Sequence, residues 1–469
     1  MGALQALAKI GEYIPSPPRP SRKPDLKWRL IYTLLALVIY YVLASTVVFP
    51  LVSVATQFQG FQLPALISVV FASARGTIAQ LGIGPMVTAG LIIQILVGAK
   101  LIDLDLTLPA DRKLFTQAEK GLGVIIACVE AAGFSMAYGL PSLLTLAIFL
   151  QFMFGAIILM ILDEAIQKGY GIGSGISLFI LAGVARTIVW DMLAPVLAQG
   201  TDQYYGIFPY LAQALTTGTV DMTRLLYGFN SAFYQATRQV VMPSLTGLIT
   251  VFVLIAVLVY LQQMRVRVPI MTQRVPGIRT SVPLQFLYVT NIPVLLVGIV
   301  LSDLILFNRL VTTYLSEKAP WLAGALQTAI SYLSPPRGLL SVMIDPLRAL
   351  INSVIFVGLA ILFGLMWVEI AGLSPSAYAE NLIKSGLQMP GLRRNPKILE
   401  MVLARYIYPL TILSSIIVAV IALIADIFGA FGTGTGILLA VGIVLQFYQQ
   451  IAYERALEAY PLLKRLIGE

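Results

Sequence analysis

The feature that most constrains the fold of this chain is a series of long apolar segments without a charged residue, such as residues 30–51 and 406–425. A membrane-spanning helix needs roughly 20 predominantly apolar residues. Lipid admits only helices and closed barrels, because every backbone hydrogen bond must be satisfied internally. Together with segments that carry isolated charges, these runs predict ten spans. The predicted spans are residues 29–50, 77–98, 121–140, 142–162, 172–195, 244–264, 283–307, 348–369, 405–425 and 433–453.

Composition supports the same fold class. The chain is 58% hydrophobic and only 11% charged, an apolar fraction well above that of ordinary soluble domains. Most of its 31 Lys and Arg residues lie at alternate ends of the predicted spans. Since cytoplasmic loops carry the excess of basic residues, both termini are predicted to be cytoplasmic. The sequence therefore predicts an all-α polytopic membrane protein, and its polar, basic first thirty residues predict no cleavable signal peptide.

Residue usage removes most kinds of catalytic site. The chain has no histidine and one cysteine, Cys128, which excludes Cys/His zinc sites, Ser-His-Asp triads and intrachain disulfides. The glycine-rich segment 168–177 has neither a preceding strand nor a Gly-Lys-Ser/Thr sequence, so it does not predict a phosphate-binding loop. Ionisable residues within spans are few, chiefly Glu130, Arg186 and Asp303. We expect no enzyme activity, no cofactor and no metal, and the sparse charges favour a passive conduit over a coupled transporter.

Two kinds of segment outside the spans carry further signals. The predicted cytoplasmic loops 265–282 and 371–404 are long and arginine-rich. Basic residues at span ends orient a membrane protein, but a surface that docks an anionic partner such as ribosomal RNA also accounts for these loops. Residues 61–73, "FQLPALISVVFAS", are apolar but only ~20 Å long as a helix. Such a segment is either re-entrant or an amphipathic surface helix.

Glycines interrupt three predicted spans. In "AQLGIGPMVTAG", residues 79–90, Pro85 either kinks a continuous helix or begins a shorter one. Glycine clusters also precede the spans at 172–195 and 433–453. Because irregular backbone at membrane depth must be covered by protein or water, the stretch at 79–90 is predicted to face something other than lipid. An ordinary proline kink in a packed helix is the alternative, and for the cluster that opens the span at 433–453 the alternative is close helix packing.

Two of these segments closely resemble the signature sequences of the SecY/Sec alpha protein-conducting channel family. They are "TIAQLGIGPMVTAGLIIQIL" at 77–96 and "ILDEAIQKGYGIGSGISLFI" at 161–180, and the likeness continues through "FLYVTNIPVLL", "MPGLRR" and "GTGTGILL". The sequences of these segments resemble those of archaeal rather than bacterial members of the family. The resemblance implies a plasma-membrane channel that moves unfolded polypeptide across the bilayer and releases apolar segments sideways into lipid. It also implies two pseudo-symmetric five-helix halves, 1–195 and 244–469, joined by an external hinge loop at 196–243.

The resemblance assigns roles to individual residues. The aliphatic ring at the waist of the pore maps to Ile83, Val87, Ile176, Ile180, Leu295 and Leu439. The re-entrant plug helix maps to about 61–73, with Phe61, Leu63, Leu66, Ile67 and Val70 as its apolar residues. The polar cluster of the lateral gate maps to Thr88, Glu130 and Asn291. The docking candidates of the cytoplasmic loops are Arg265, Arg267, Arg274, Arg279, Arg393 and Arg394. Asp303 departs from the family, whose members often carry a neutral polar residue there.

Partners also follow from the resemblance. It implies a heterotrimer with a SecE/gamma subunit and a beta subunit, a ribosome that contacts the cytoplasmic loops through its RNA, and signal peptides, nascent chains and membrane lipid as ligands of the channel. A secondary transporter with broken helices at its binding site is the alternative, and a membrane-embedded enzyme is a third class. The transporter accounts for the glycine breaks, but not for the aliphatic ring, the plug-like segment or the basic loops.

Overall fold

A computed structural model describes residues 2–21, 24–51, 72–74, 76–98, 101–102, 104, 108–237, 241–272, 279–290, 292–384, 387–388 and 396–459. The described helices are, in chain order, α1 (Gly2–Glu12), α2 (Leu26–Ser45), α3 (Gly84–Gly98), α4 (Pro109–Ala137), α5 (Ser142–Ala165), α6 (Gly175–Leu193), α7 (Ile207–Thr217), α8 (Met222–Tyr227), α9 (Ser231–Thr237), α10 (Leu245–Gln263), α11 (Ile292–Lys318), α12 (Pro320–Leu333), α13 (Leu339–Ile344), α14 (Pro346–Ile370), α15 (Pro375–Lys384), α16 (Pro396–Ile427) and α17 (Gly434–Ala459). A π-helical turn, Ile166–Tyr170, continues α5.

The predicted fold class is confirmed. Among the described residues, eight helices are long and apolar enough to cross a membrane: α2, α4, α5, α6, α10, α14, α16 and α17. The two remaining predicted spans, 77–98 and 283–307, correspond to shorter apolar helices, Gly84–Gly98 and Ile292–Ile305. A polytopic helical membrane protein is therefore established, whereas the total of ten spans stays a prediction.

Local sequence signals set several of the helix starts. Ser244 precedes α10, and its hydroxyl oxygen accepts a hydrogen bond from the backbone N–H of Gly247 at 3.1 Å. Asp345 precedes α14, and its carboxylate accepts the N–H of Arg348 at 3.2 Å. Such side chains satisfy backbone donors that have no partner within the helix. These two spans therefore begin where the sequence places a capping side chain.

A small antiparallel sheet lies in the predicted cytoplasmic loops. Its strands are β1 (Arg265–Thr272), β2 (Arg279–Gln285) and β3 (Leu387–Gln388), in the order β2-β1-β3. In the register of the sheet, Met271 of β1 pairs with Arg279 of β2 on one side and with Gln388 of β3 on the other. The prediction from sequence contains no strand here. The sheet joins the two basic loops through β1 and β3, whose paired residues are more than one hundred positions apart in the chain.

The predicted external loop 196–243 contains three short helices, α7, α8 and α9. Arg224 is fully buried among them and donates hydrogen bonds to the carbonyl oxygens of Pro243 at 2.5 Å and Tyr205 at 2.8 Å. Burial lowers the pKa of Arg224 to about 10, so the guanidinium remains protonated at neutral pH. This central cation organises the loop into a folded connection between α6 and α10.

Two large apolar cores meet near the centre of the molecule. One is built mainly from α10, α11, α14, α16 and α17, and the other from α2, α3, α5 and α6 with two side chains of α17. Val87, Ile188 and Leu295 pack against both cores. The seam between the cores therefore passes through Val87 and Leu295, two of the residues assigned to the pore ring.

Candidate functional site

The residues of the predicted ring all lie at the beginnings of helices. Ile83 and Val87 flank the start of α3, and Ile176 and Ile180 lie in the first two turns of α6. The other two, Leu295 and Leu439, follow the first residues of α11 and α17. Four helices thus begin close together, and each presents an aliphatic side chain there.

The structure brings these six side chains together. All belong to one apolar cluster, in which Ile83, Ile180 and Leu439 are buried and Val87, Ile176 and Leu295 are partly buried. The pairs four residues apart share a helix face, as the sequence predicted. Such a cluster offers only non-directional contacts, because aliphatic groups neither donate nor accept hydrogen bonds.

A cavity of about 560 Å³ extends from the ring. Its lining includes five of the ring residues, Val87, Ile176, Ile180, Leu295 and Leu439. It also includes six glutamines, Gln94, Gln262, Gln263, Gln285, Gln446 and Gln449, with Glu119 and Arg265. Because Arg265 and Gln285 belong to the sheet of the predicted cytoplasmic loops, the cavity extends from that sheet to the ring. Away from the ring its lining is mixed, with the six glutamines among apolar side chains such as Leu287 and Trp367.

The described end of the plug segment packs on the same cluster. Ala72 and Ala74 are buried members of it, and the Tyr40 hydroxyl donates to the carbonyl oxygen of Ala72 at 3.0 Å. The predicted plug residues Phe61, Leu63, Leu66, Ile67 and Val70 lie outside the described residues. The chain therefore returns to the ring immediately after the segment assigned to the plug.

The glycine-proline stretch ends one irregular segment and begins α3. Pro85 is the second residue of α3, so it starts a helix, a position where its missing N–H costs nothing. The preceding turn is held by Gln80, whose side-chain oxygen accepts hydrogen bonds from the N–H of Gly76 at 2.9 Å and the hydroxyl of Tyr138 at 2.8 Å. Ala79 and Leu81 in this turn are buried, as irregular backbone at membrane depth requires.

The predicted lateral gate contains a partner that the sequence did not identify. Thr88 on α3 donates a hydrogen bond from its hydroxyl to a carboxylate oxygen of Asp303 on α11, at 3.0 Å. Glu130 on α4 is buried and close enough to Asp303 for the two carboxyls to interact electrostatically. Asn291, the third predicted gate residue, lies outside the described residues. The sequence feature that indicates this contact is Asp303 itself, a single acidic residue in an apolar segment.

The predicted docking arginines lie partly on the sheet. Arg265 and Arg267 are exposed on β1, and Arg279 begins β2. Arg274, Arg393 and Arg394 lie outside the described residues. Pairing of β1 with β3 brings loop 371–404 against loop 265–282. The structure thus connects the two loops that were predicted to form one basic surface.

Comparison with known proteins identifies close relatives over the whole chain. The family model described as SecY matches residues 77–448. A curated relative from Aeropyrum pernix, "Protein translocase subunit SecY", is 47% identical over 477 residues that cover 100% of this chain and 99% of the relative. The protein of the same description from Saccharolobus solfataricus is 43% identical, with 100% of both chains covered.

Solved structures share the fold. One described as "The structure of a protein conducting channel" has a TM-score of 0.75 and 32% identity, and the match covers 96% of this chain and 97% of that chain. Another, "Sec61 in the Canine ribosome-channel complex from the endoplasmic reticulum", has a TM-score of 0.73 and 32% identity with the same coverage. These likenesses extend through every element that contributes to the ring.

Proposed function

The chain belongs to the SecY family, and we propose that it is the pore-forming subunit of a protein translocase, which conducts unfolded polypeptide across the membrane and releases apolar segments sideways into lipid. The observation that carries the proposal is the convergence of six aliphatic side chains from four helix starts at the end of one cavity. Relatives described as protein translocase subunits support it.

The chemistry of the ring suits a substrate of variable sequence. A translocating chain presents every type of side chain, so a constriction with specific polar contacts would retain some sequences longer than others. Aliphatic groups deform around any passing chain and exclude water when the pore is empty. The six glutamines of the cavity lining offer neutral hydrogen-bonding groups to the chain before it reaches the ring.

Lateral release uses the interface beside the ring. Helix α3 contacts α11 and α14 across the seam between the two apolar cores. Separation of α3 from α11 would break the hydrogen bond between Thr88 and Asp303 and open a path from the ring to lipid. Two halves, 1–195 and 244–469, would move about the folded loop at 196–243.

Partners complete the proposed assembly. A SecE/gamma subunit clamps the two halves and a beta subunit binds at the periphery, while signal peptides and nascent chains enter from the cytoplasm. The arginines of β1 and β2 dock the ribosome through phosphates of its RNA, which the solved Sec61 channel–ribosome complex supports. The chain lies in the plasma membrane with both termini cytoplasmic. It catalyses no reaction, binds no cofactor, and takes its driving energy from the ribosome or another external machine.

Site-specific crosslinking tests the proposal. A photoreactive residue replaces Ile83 or Ile180 in the ring, with Leu413 on α16, which is 44% exposed, as the lipid-facing control. A ribosome–nascent chain complex is then stalled during translocation. We expect crosslinks to the nascent chain from both ring positions and none from position 413. Contact from neither ring position in a preparation that translocates protein would reject the pore assignment.

A further inference from the structure

Two glycine-containing turns lead into α6 and α17, helices that carry ring residues. The two turns share a structure that the signature sequences do not explain. The first is Gly173-Ser174-Gly175 at the start of α6, and the second is Gly432-Thr433-Gly434 at the start of α17. The first glycine of each turn has positive φ, +73° at Gly173 and +76° at Gly432, a conformation that favours glycine. The two turns lie in different halves of the chain.

The second glycine of each turn allows the helix to start directly against the preceding helix. A Cβ at Gly175 would lie 2.5 Å from the Cα of Asp163 on α5, and one at Gly434 would lie 2.0 Å from the carbonyl oxygen of Ala422 on α16. Neither position accepts a side chain without a shift of backbone. Each ring helix is therefore placed by contact with the helix before it.

A buried aspartate of that preceding helix then binds the new helix at its first turn. One carboxylate oxygen of Asp163 accepts the backbone N–H of Ile176 at 2.9 Å, and the other accepts the side-chain amide of Gln167 at 2.8 Å. At the start of α17, Asp426 accepts the backbone N–H of Gly434 at 2.8 Å. Both aspartates are buried, 8% and 5% exposed. The ordinary N-cap residue of α6, Ser174, makes no side-chain cap of its own.

We infer that Asp163 and Asp426 are positioning residues of the closed pore, which fix the depth at which α6 and α17 present Ile176, Ile180 and Leu439 to the ring. Ile176 is itself a ring residue, so the hydrogen bond at its backbone N–H acts on the ring directly. Leu439 follows the bond at Gly434 by about one and a half turns. The inference rests on the proposed function, since it assigns these carboxyls to the seal of that pore.

The experiment measures chloride flux through the closed channel in liposomes that contain the full chain. We expect Asp163→Ala and Asp426→Ala each to raise the flux about tenfold, a population change that corresponds to ~1.4 kcal/mol. Asp163→Asn and Asp426→Asn keep an oxygen that accepts the same N–H, so flux through these variants stays at the wild-type value.

Asp221 provides the matched control. Its carboxylate also caps a helix, α8, by accepting the N–H groups of Thr223 at 3.0 Å and Arg224 at 3.2 Å. Helix α8 carries no ring residue, so Asp221→Ala should leave the flux unchanged. Equal leakage from Asp221→Ala would show general destabilisation, and equal leakage from the Asn variants would show a role of charge. Either result, or wild-type flux in both Ala variants, overturns the inference.

If Asp163→Ala does not fold, Gln167→Ala tests the role of Asp163 in positioning α6. It removes the bond that orients Asp163 but keeps the carboxylate, so we expect a smaller rise in flux, and no rise would reject Asp163 as a positioning residue. Crosslinking from Ile83 and Ile180 separates this result from the proposed function. Crosslinks to a nascent chain with unchanged flux in the variants reject the inference alone, whereas altered flux without crosslinks rejects the translocation function.

Discussion

The predicted ring and the predicted lateral gate share two helices, α3 and α11, but differ in chemistry. On α3, Val87 is a predicted ring residue and the next residue, Thr88, is a predicted gate residue. On α11, Leu295 belongs to the ring and Asp303 lies about two turns further along. The ring is entirely aliphatic, whereas the gate holds a hydroxyl and two buried or partly buried carboxyls. Neighbouring positions on one helix therefore serve different physical requirements.

The difference follows from what each region must hold. In the proposed channel the ring contacts the translocating chain, so directional bonds there would slow some sequences, and non-directional contacts are sufficient to exclude water. The proposed gate holds two helices together, and the hydrogen bond between Thr88 and Asp303 lies in a partly buried interface, where it is stronger than in water. A directional bond can break completely when the helices separate, which gives the gate a closed state that is distinct from its open state.

Introducing a charge into the ring should have the largest effect. Leu439 is 2% exposed, and Leu439→Asp would place a carboxylate among aliphatic groups without a partner, at a cost of several kcal/mol. We expect the closed state to lose its seal, which a chloride-flux assay in liposomes measures directly. Leu439→Met, a change of nearly equal volume, is the control and should remain closed. A sealed Leu439→Asp channel would show that position 439 does not line the constriction.

The six residues that the resemblance assigned to the ring lie in one apolar cluster. Helical periodicity alone indicated only that Ile83 and Val87, and Ile176 and Ile180, share a helix face. Apolar length likewise predicted the spanning helices. Periodicity cannot reveal which distant side chains meet, so the contact of Thr88 with Asp303, 215 residues away in the chain, required the fold.

The other features that the sequence did not predict were missed for similar reasons. The sheet in the predicted cytoplasmic loops depends on pairing between segments far apart in sequence, including β1 with β3, and short strands with prolines carry little periodic signal. Asp163 was present within a recognised signature, but its role depends on a turn that brings the N–H of Ile176 back to the preceding helix. Sequence identified the elements, and tertiary contacts determined what held them in place.

Removing the hydroxyl of the gate should have an intermediate effect. Thr88→Val keeps the shape of the side chain but deletes the donor to Asp303, a partly buried acceptor, which costs about 1 kcal/mol. The closed gate is destabilised, so segments of lower hydrophobicity should pass into lipid. A graded series of apolar segments in a translocating chain measures this threshold. Thr88→Ser restores the donor and should restore the threshold, whereas an unchanged threshold in Thr88→Val would exclude this bond from gating.

The smallest effect should come from exchanging one aliphatic ring residue for another. Ile83 is completely buried, and Ile83→Val deletes one methylene group at a cost of ~1 kcal/mol. Because the ring makes no directional contact, the change should raise chloride flux slightly while altering translocation of basic, acidic and apolar test chains by the same factor. Measured rates for three chains that differ only in one central segment provide the comparison. A change that depends on the charge of the chain would mean that the ring recognises side chains, and the contrast with the gate would then fail.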